Sequence, residues 1–261
     1  MTFWIKAIGS GICFLFGSLV GSFLNVCIWR LPRGQSVIKP RSRCPRCQAW
    51  IASRDNIPLI SYLILRGRCR GCGQRISIRY PVVEALTGAL AALLFIVFGP
   101  TVQAATLFAL ICFLVVATFT DLDRMIIPDR ITLPGIVLGL AINAMASPGD
   151  IWRFLLGAVV GGGTLLLLAF LGELIFKKES MGGGDLKLAA LVGAFLGWQS
   201  VLLSLFAAVL AGALTGLALI IVGLKGRQQY IPFGPFIAIG TLVVIFWGSD
   251  IIRAYTDLLL L

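Results

Sequence analysis

The stretch LICFLVVATFT, residues 110–120, runs for eleven residues without a charged side chain and ends directly at Asp121. Similar apolar runs recur along the whole 261-residue chain, in which 59% of the residues are hydrophobic and only 13% are charged. A helix needs about 20 mostly apolar residues to cross the roughly 30 Å hydrocarbon core of a bilayer. Because open sheet edges are not tolerated in lipid, the sequence predicts an all-α polytopic membrane protein.

The apolar runs predict about eight transmembrane helices, of which the sixth is short. They lie near residues 7–29, 82–99, 102–120, 131–147, 153–176, 186–198, 200–224 and 233–249. The first run carries one early cation, Lys6, and no clear small-residue cleavage site before Arg30, so we interpret it as a retained span and not as a cleaved signal peptide. We therefore divide the chain into a first transmembrane helix (1–29), an insert (30–81) and a membrane-embedded domain (82–261).

Positive charge is concentrated in the insert, which holds 12 of the 22 basic residues. Cytoplasmic loops of membrane proteins collect Lys and Arg, so we expect the insert to face the cytoplasm. With eight spans, the loops 121–130, 177–187 and 225–231 would then also be cytoplasmic and both termini would face outward. This placement explains the net charge of +11 without nucleic acid as a partner.

Four of the seven cysteines form two Cys-x-x-Cys pairs inside the insert, Cys44 with Cys47 and Cys69 with Cys72. This spacing is typical of a zinc ribbon, in which two tight turns present four thiolates to a tetrahedral ion. A pair of disulfides is the alternative, and a reducing cytoplasm disfavours it. A site closed by four sulfurs leaves no position for a substrate, so the predicted zinc is structural. The chain has no histidine, which excludes His-based catalytic triads.

Four carboxylates are expected at the cytoplasmic ends of the third, fourth and sixth spans: Asp121, Asp123, Asp129 and Asp185. Asp121 and Asp185 come from different spans at matching depth, and two neighbouring carboxyl groups can share a proton as in an aspartic protease. Glycines 182–184 would let an extended peptide approach Asp185 closely. The pattern alone leaves alternatives open. Asp129 follows Pro128 and precedes a span, so we expect it to cap a helix, as Asp123 and Asp185 could also do. We expect Asp123 to be solvated or to support the catalytic residues indirectly, and the pair Asp121 and Asp185 could instead form an ion pathway.

Five blocks of the chain, in order, resemble the bacterial prepilin peptidases, also called type IV leader peptidases. They are GSFLNVCIWRLPRG (21–34), CPRCQAWIASRDNIPLISYLILRGRCRGCGQRISIRYPVVEALTG (44–88), TDLDRMIIPDRITLPG (120–135), MGGGDLKLAALVGAFLGW (181–198) and IPFGPFIAIG (231–240). Each block is weak alone, but five in sequence are highly specific. The resemblance implies that Asp121, the first acid of Asp-Leu-Asp, and Asp185, the acid of Gly-x-Gly-Asp, are catalytic.

The resemblance also implies the location and the partners. It places the chain in the bacterial inner (cytoplasmic) membrane, surrounded by lipid, with 82–261 as an aspartyl peptidase domain. Substrates would be precursors of type IV pilins or of the pilin-like subunits of type II secretion, cleaved at the cytoplasmic membrane face. Many members methylate the new N-terminus with S-adenosylmethionine, a cofactor for which the sequence offers no nucleotide-binding fingerprint. An ion-coupled transporter and a non-catalytic assembly factor remain the competing hypotheses.

Overall fold

The computed structural model describes residues 3–177, 182–223 and 231–259, and these residues form α-helices joined by turns. The helices are α1 (Phe3–Arg30), α2 (Ile60–Ile64), α3 (Arg79–Phe98), α4 (Val102–Arg124), α5 (Asp129–Ala146), α6 (Ile151–Phe176), α7 (Gly183–Leu196), α8 (Trp198–Ile221) and α9 (Gly234–Leu259). Extended pairing within these ranges is limited to two isolated bridges in the insert, Arg43 with Trp50 and Arg68 with Arg75. Residues 178–181 of the predicted loop 177–187 and residues 225–230 of the predicted loop 225–231 lie outside the described residues.

Seven helices of the described chain are long and apolar enough to cross a membrane, namely α1, α3, α4, α5, α6, α8 and α9. The all-α, multi-pass architecture predicted from the sequence is therefore confirmed. The predicted short sixth span, 186–198, corresponds to α7, which has 14 residues. At 1.5 Å per residue such a helix is about 21 Å long, which is less than a full bilayer core.

The chain divides into two compact units, residues 1–116 and 117–261. In the first unit, α1 and α3 pack against each other through small residues. A Cβ atom added to Gly17 would lie 2.9 Å from the Cα of Gly88, and one added to Gly21 would lie 2.9 Å from the Cα of Glu84. Only glycine permits helix axes to approach this closely, which is a common way to pack helices where lipid supplies no hydrophobic driving force.

In the second unit, α7 is the central helix and packs on α5, α6, α8 and α9. Its side chains are largely enclosed, and Leu188, Leu191 and Val192 have no exposed surface. The contact with α6 is close enough that a Cβ atom on Gly193 would lie 1.9 Å from the carbonyl oxygen of Gly157. Since α7 is fixed on all sides by packing, the residues of its first turn occupy a defined position.

A buried amide fixes the other end of α7. Asn143 of α5 is 9% exposed, and its Nδ2 donates to the carbonyl oxygens of Ala194 and Phe195 at 3.1 and 3.3 Å. These carbonyls belong to the last turn of α7, where the helix leaves acceptors without an internal donor. The Asn143 side chain therefore holds the end of α7 that lies opposite Asp185.

Candidate active site

Asp121 lies in the last turn of α4, and its carboxylate is buried with 5% of the residue exposed. Its Oδ2 accepts a 2.8 Å hydrogen bond from the backbone amide of Gly234, the first residue of α9. The free amides at the start of a helix favour a negative group, so α9 provides a suitable partner for this carboxylate. A Cβ atom on Gly234 would lie 2.9 Å from the same oxygen, so a side chain at this position would displace the carboxylate.

Asp185 lies in the first turn of α7 and is partly exposed. The helix starts at Gly183 after Gly182, and no side chain caps it. The helix-capping alternative for Asp185 is wrong, because Gly182 occupies the cap position and Asp185 lies inside the first turn. Asp121 and Asp185 belong to the same compact unit, residues 117–261.

Ile127 connects the segments that carry the two acids. It is 6% exposed, and its Cβ would lie 3.0 Å from a Cβ atom on Gly184, the neighbour of Asp185. Its Cδ1 would lie 3.2 Å from a Cβ atom on Gly234, the partner of Asp121. One buried side chain thus packs on both glycines. Sequence reasoning missed Ile127 and Gly234, although Gly234 belongs to the quoted block IPFGPFIAIG.

The other two carboxylates of this region have different positions. The capping predicted for Asp129 is wrong, because α5 begins at Asp129 itself and Pro128 occupies the cap position. The Asp129 Oδ1 instead accepts a 2.6 Å hydrogen bond from the Nζ of Lys187, two residues after Asp185. This pair is solvent-exposed, and such pairs typically contribute less than about 1 kcal/mol. Asp123 is exposed.

The four insert cysteines form one cluster, with all Sγ atoms within 4.8 Å of one another. The Sγ atoms of Cys44 and Cys72 are 3.7 Å apart, far longer than a disulfide bond, and all seven cysteines are free thiols. Four sulfurs placed about 2.3 Å from a tetrahedral zinc ion would lie about 3.8 Å apart. The cluster therefore fits zinc. Hydrogen bonding, chiefly from the Cys47 amide, lowers the pKa of the Cys44 thiol to about 6, whereas burial and the neighbouring thiols raise the pKa of Cys72 to about 11. Within the cluster, Cys44 is therefore the thiol that ionises most readily to the thiolate a metal requires.

The two cysteine turns have the same local structure. The amide of Cys44 donates to the carbonyl of Ala49, and the amide of Cys69 donates to that of Gln74, five residues on in each case. The residue after each second cysteine has a positive φ, 58° at Gln48 and 68° at Gly73. Two equivalent knuckles therefore present two thiols each, as the spacing predicted.

Comparison with known proteins identifies related chains over almost the full length. The Bacterial Peptidase A24 N-terminal domain matches residues 15–98, and the Type IV leader peptidase family matches residues 108–217. A protein named Prepilin leader peptidase/N-methyltransferase in Aeromonas salmonicida is 38% identical, over 95% of this chain and 94% of its own. A protein of the same name in Myxococcus xanthus is 44% identical, over 80% of this chain and 62% of its own. Another in Bacillus subtilis is 36% identical, over 95% of this chain and 98% of its own. No solved structure matches the chain.

Proposed function

Because the chain belongs to the type IV leader peptidase family, we propose that Asp121 and Asp185 are the catalytic pair with which it removes the leader of a type IV prepilin or a pilin-like secretion subunit. The observation that supports this assignment is that Ile127 packs on both Gly184, next to Asp185, and Gly234, whose amide binds the buried carboxylate of Asp121. Family membership favours this chemistry over the ion-coupled transporter that the carboxylates alone left open.

The proposed mechanism uses one ionised and one protonated carboxyl group. The ionised group removes a proton from water, whose oxygen attacks the carbonyl carbon of the scissile peptide while the protonated group hydrogen-bonds the carbonyl oxygen. Collapse of the tetrahedral intermediate breaks the C–N bond, and a carboxyl group supplies the proton to the leaving amine. Asp121 Oδ2 already accepts a hydrogen bond from the Gly234 amide. The proton that the two carboxyl groups share therefore lies on Asp121 Oδ1 or on Asp185. The Gly234 amide keeps Asp121 oriented throughout.

We assign a second activity, methylation of the amine that cleavage exposes, since the relatives named above are peptidases and N-methyltransferases. S-adenosylmethionine would supply the methyl group. Cleavage must come first, because the acceptor nitrogen is part of the scissile peptide bond until then. The two products are therefore expected to appear in sequence.

The insert is assigned a structural zinc ion held by Cys44, Cys47, Cys69 and Cys72, whose spacing and sulfur separation fit it. We place the protein in the bacterial inner membrane with the insert facing the cytoplasm, on the strength of its basic residues. In this topology a positively charged leader held in the cytoplasm would bring its cleavage junction to the ends of α4 and α7. We retain 82–261 as the aspartyl peptidase domain.

The experiment that tests the function is incubation of the purified, full-length protein with a prepilin and S-adenosylmethionine, followed by mass measurement of the products. We expect loss of the leader and then addition of one methyl group. Asp121→Asn and Asp185→Asn should each abolish leader removal, whereas Asp129→Asn, at the same end of the helices but in an exposed ion pair, should retain it. Leader removal by both catalytic variants would overturn the assignment.

A measurement of ion flux through sealed vesicles distinguishes the peptidase assignment from the competing transporter hypothesis. The peptidase assignment predicts no flux that depends on Asp121 or Asp185. Flux that both substitutions abolish, without any peptide product, would contradict it.

A further inference from the structure

The short helix α2 exposes an apolar surface on the insert. Ile60, Leu63 and Ile64 are 50%, 74% and 69% exposed, and Ile57, just before the helix, is 45% exposed. Residues three and four apart share one face of a helix, so Ile60, Leu63 and Ile64 form one surface, and Ile57 precedes it in the chain. We call Ile57, Ile60, Leu63 and Ile64 the α2 patch.

The opposite side of α2 is polar and buried. A helix on the surface of a water-soluble protein has the reverse arrangement, with its apolar side buried and its polar side exposed. Ser61 is 7% exposed; its Oγ accepts the Ile57 amide and donates to the carbonyl of Arg54, each at 2.9 Å. The fold thus satisfies the hydroxyl internally and directs the apolar residues outward. A contiguous apolar patch of this kind indicates a binding surface.

The position of α2 along the membrane normal follows from a single buried contact. Glu84, the sixth residue of the membrane span Arg79–Phe98, is 7% exposed and its Oε2 accepts a 2.8 Å hydrogen bond from the amide of Leu59. Leu59 directly precedes α2. The α2 patch is therefore tied to the first turns of a transmembrane helix, where the hydrocarbon core gives way to headgroups.

The connection to Glu84 also fixes the direction in which α2 faces. Leu59 has φ 61° and ψ −50°, and the Ile60 amide donates to the carbonyl of Pro58 at 2.6 Å. This is a γ-turn of the strained kind, which a residue other than glycine adopts only when its surroundings enforce it. The buried carboxylate of Glu84 supplies that constraint.

The charge of the insert complements an anionic membrane. Residues 30–81 carry 12 basic side chains and one acidic side chain, Asp55, so the insert holds a net charge equal to that of the whole chain. Asp55 is already engaged with Arg70 through bonds of 2.6 and 2.9 Å. Arg54 and Arg66, on either side of the α2 patch, are exposed. An apolar helix face flanked by cations is typical of a segment lying in the membrane interface.

We propose that the insert binds the anionic phospholipids of its own membrane, with the α2 patch embedded at the headgroup–acyl boundary and Arg54 and Arg66 contacting lipid phosphates. This lipid contact also resolves an apparent conflict of charge. A basic insert would repel a basic leader peptide, but lipid phosphates neutralise the insert and leave the leader free to approach. The α2 patch thus binds the bilayer surface. This lipid contact does not depend on peptidase activity.

The test measures amide hydrogen exchange of residues 57–66 in the full-length protein, one copy per nanodisc. Discs of phosphatidylcholine alone are compared with discs that also contain phosphatidylglycerol. We expect slower exchange in the anionic discs, and the difference should disappear at high salt because screening weakens the attraction. Each basic residue near such a surface corresponds to about a fivefold change in binding. The double variant Arg54→Gln/Arg66→Gln should therefore reduce the lipid dependence by an order of magnitude or more.

Two further variants keep the inference falsifiable. Leu63→Asn/Ile64→Asn should speed exchange in both kinds of disc, while Ile38→Asn, an equally exposed apolar residue outside the patch, should leave residues 57–66 unchanged. Thiol content and zinc content report whether each variant keeps a folded insert. Equal exchange in both lipids and in detergent would overturn the proposal. Protection that appears only when a second copy or a prepilin is added would also overturn it, because the patch would then be a protein-binding surface.

Discussion

The carboxylate of Asp121 is bound by the backbone amide of Gly234, 113 residues later in the sequence, at 2.8 Å. This contact joins the end of α4 to the start of α9 and holds a buried acid in one orientation. An aspartyl mechanism needs such orientation, because a small displacement of the carboxylate from the attacking water sharply reduces the rate.

The Gly234→Ala substitution should strongly impair peptidase activity. The added Cβ atom would lie 2.9 Å from Asp121 Oδ2 and 3.2 Å from Ile127 Cδ1, so the amide and the carboxylate would have to separate. A misfit that costs about 1–3 kcal/mol in the transition state corresponds to a loss of about five- to 150-fold in kcat. Initial rates of prepilin cleavage provide the measurement.

The matched control is Gly163→Ala in α6, where an added Cβ atom meets no atom of the described part of the chain within 4 Å. It should keep both rate and thermal stability. Equal rates for the wild type and Gly234→Ala would show that the Gly234 contact has no role in catalysis.

The neighbouring glycines 183 and 184 should respond differently to alanine. A Cβ atom on Gly184 would lie 3.0 Å from the Cβ of Ile127 and displace the first turn of α7, whereas one on Gly183 meets none of the described residues within 4 Å. We expect Gly184→Ala to reduce kcat about tenfold, and Gly183→Ala to leave kcat and folding within about twofold of the wild type. Similar losses of kcat at both positions would contradict packing on Ile127 as the reason for Gly184.

Much of the fold was predictable because apolar length and charge placement are strong signals in membrane proteins. The sequence also predicts a matching depth for Asp121 and Asp185, since each acid adjoins an apolar run, and this stays a prediction. The sequence could not reveal Ile127 or the Gly234 amide, because these contacts depend on how α4, α7 and α9 pack. It misassigned Asp129 to a helix cap because an acid after proline fits that pattern, while its actual partner, Lys187, lies 58 residues away.

Replacing Asn143 should destabilise the second unit. Asn143→Leu removes the donor to the Ala194 and Phe195 carbonyls and leaves these acceptors buried, which costs about 1–3 kcal/mol. The thermal unfolding midpoint in detergent should fall, and cleavage should weaken only as the folded fraction decreases.

Thr256→Ala is the control for Asn143→Leu, because the Thr256 hydroxyl is exposed and donates only to Arg253 of its own helix. It should not change the midpoint measurably. An unchanged midpoint in Asn143→Leu would mean that the end of α7 is held by packing alone.

Removal of the metal should unfold the insert without directly altering the aspartates. The insert has little enclosed apolar surface, with Cys44 its one buried hydrophobic residue, so the four thiolate–metal bonds that we propose would supply most of its order. A chelator, or Cys69→Ser, should therefore expose residues 40–76 to trypsin, which has many Arg sites there, while the membrane helices stay protected. Metal analysis should give about one zinc ion per untreated chain and much less in Cys69→Ser. Cys13→Ser, at a cysteine outside the cluster, should retain both the metal and the protease resistance; an insert that stays resistant to trypsin after complete loss of zinc would refute the structural role.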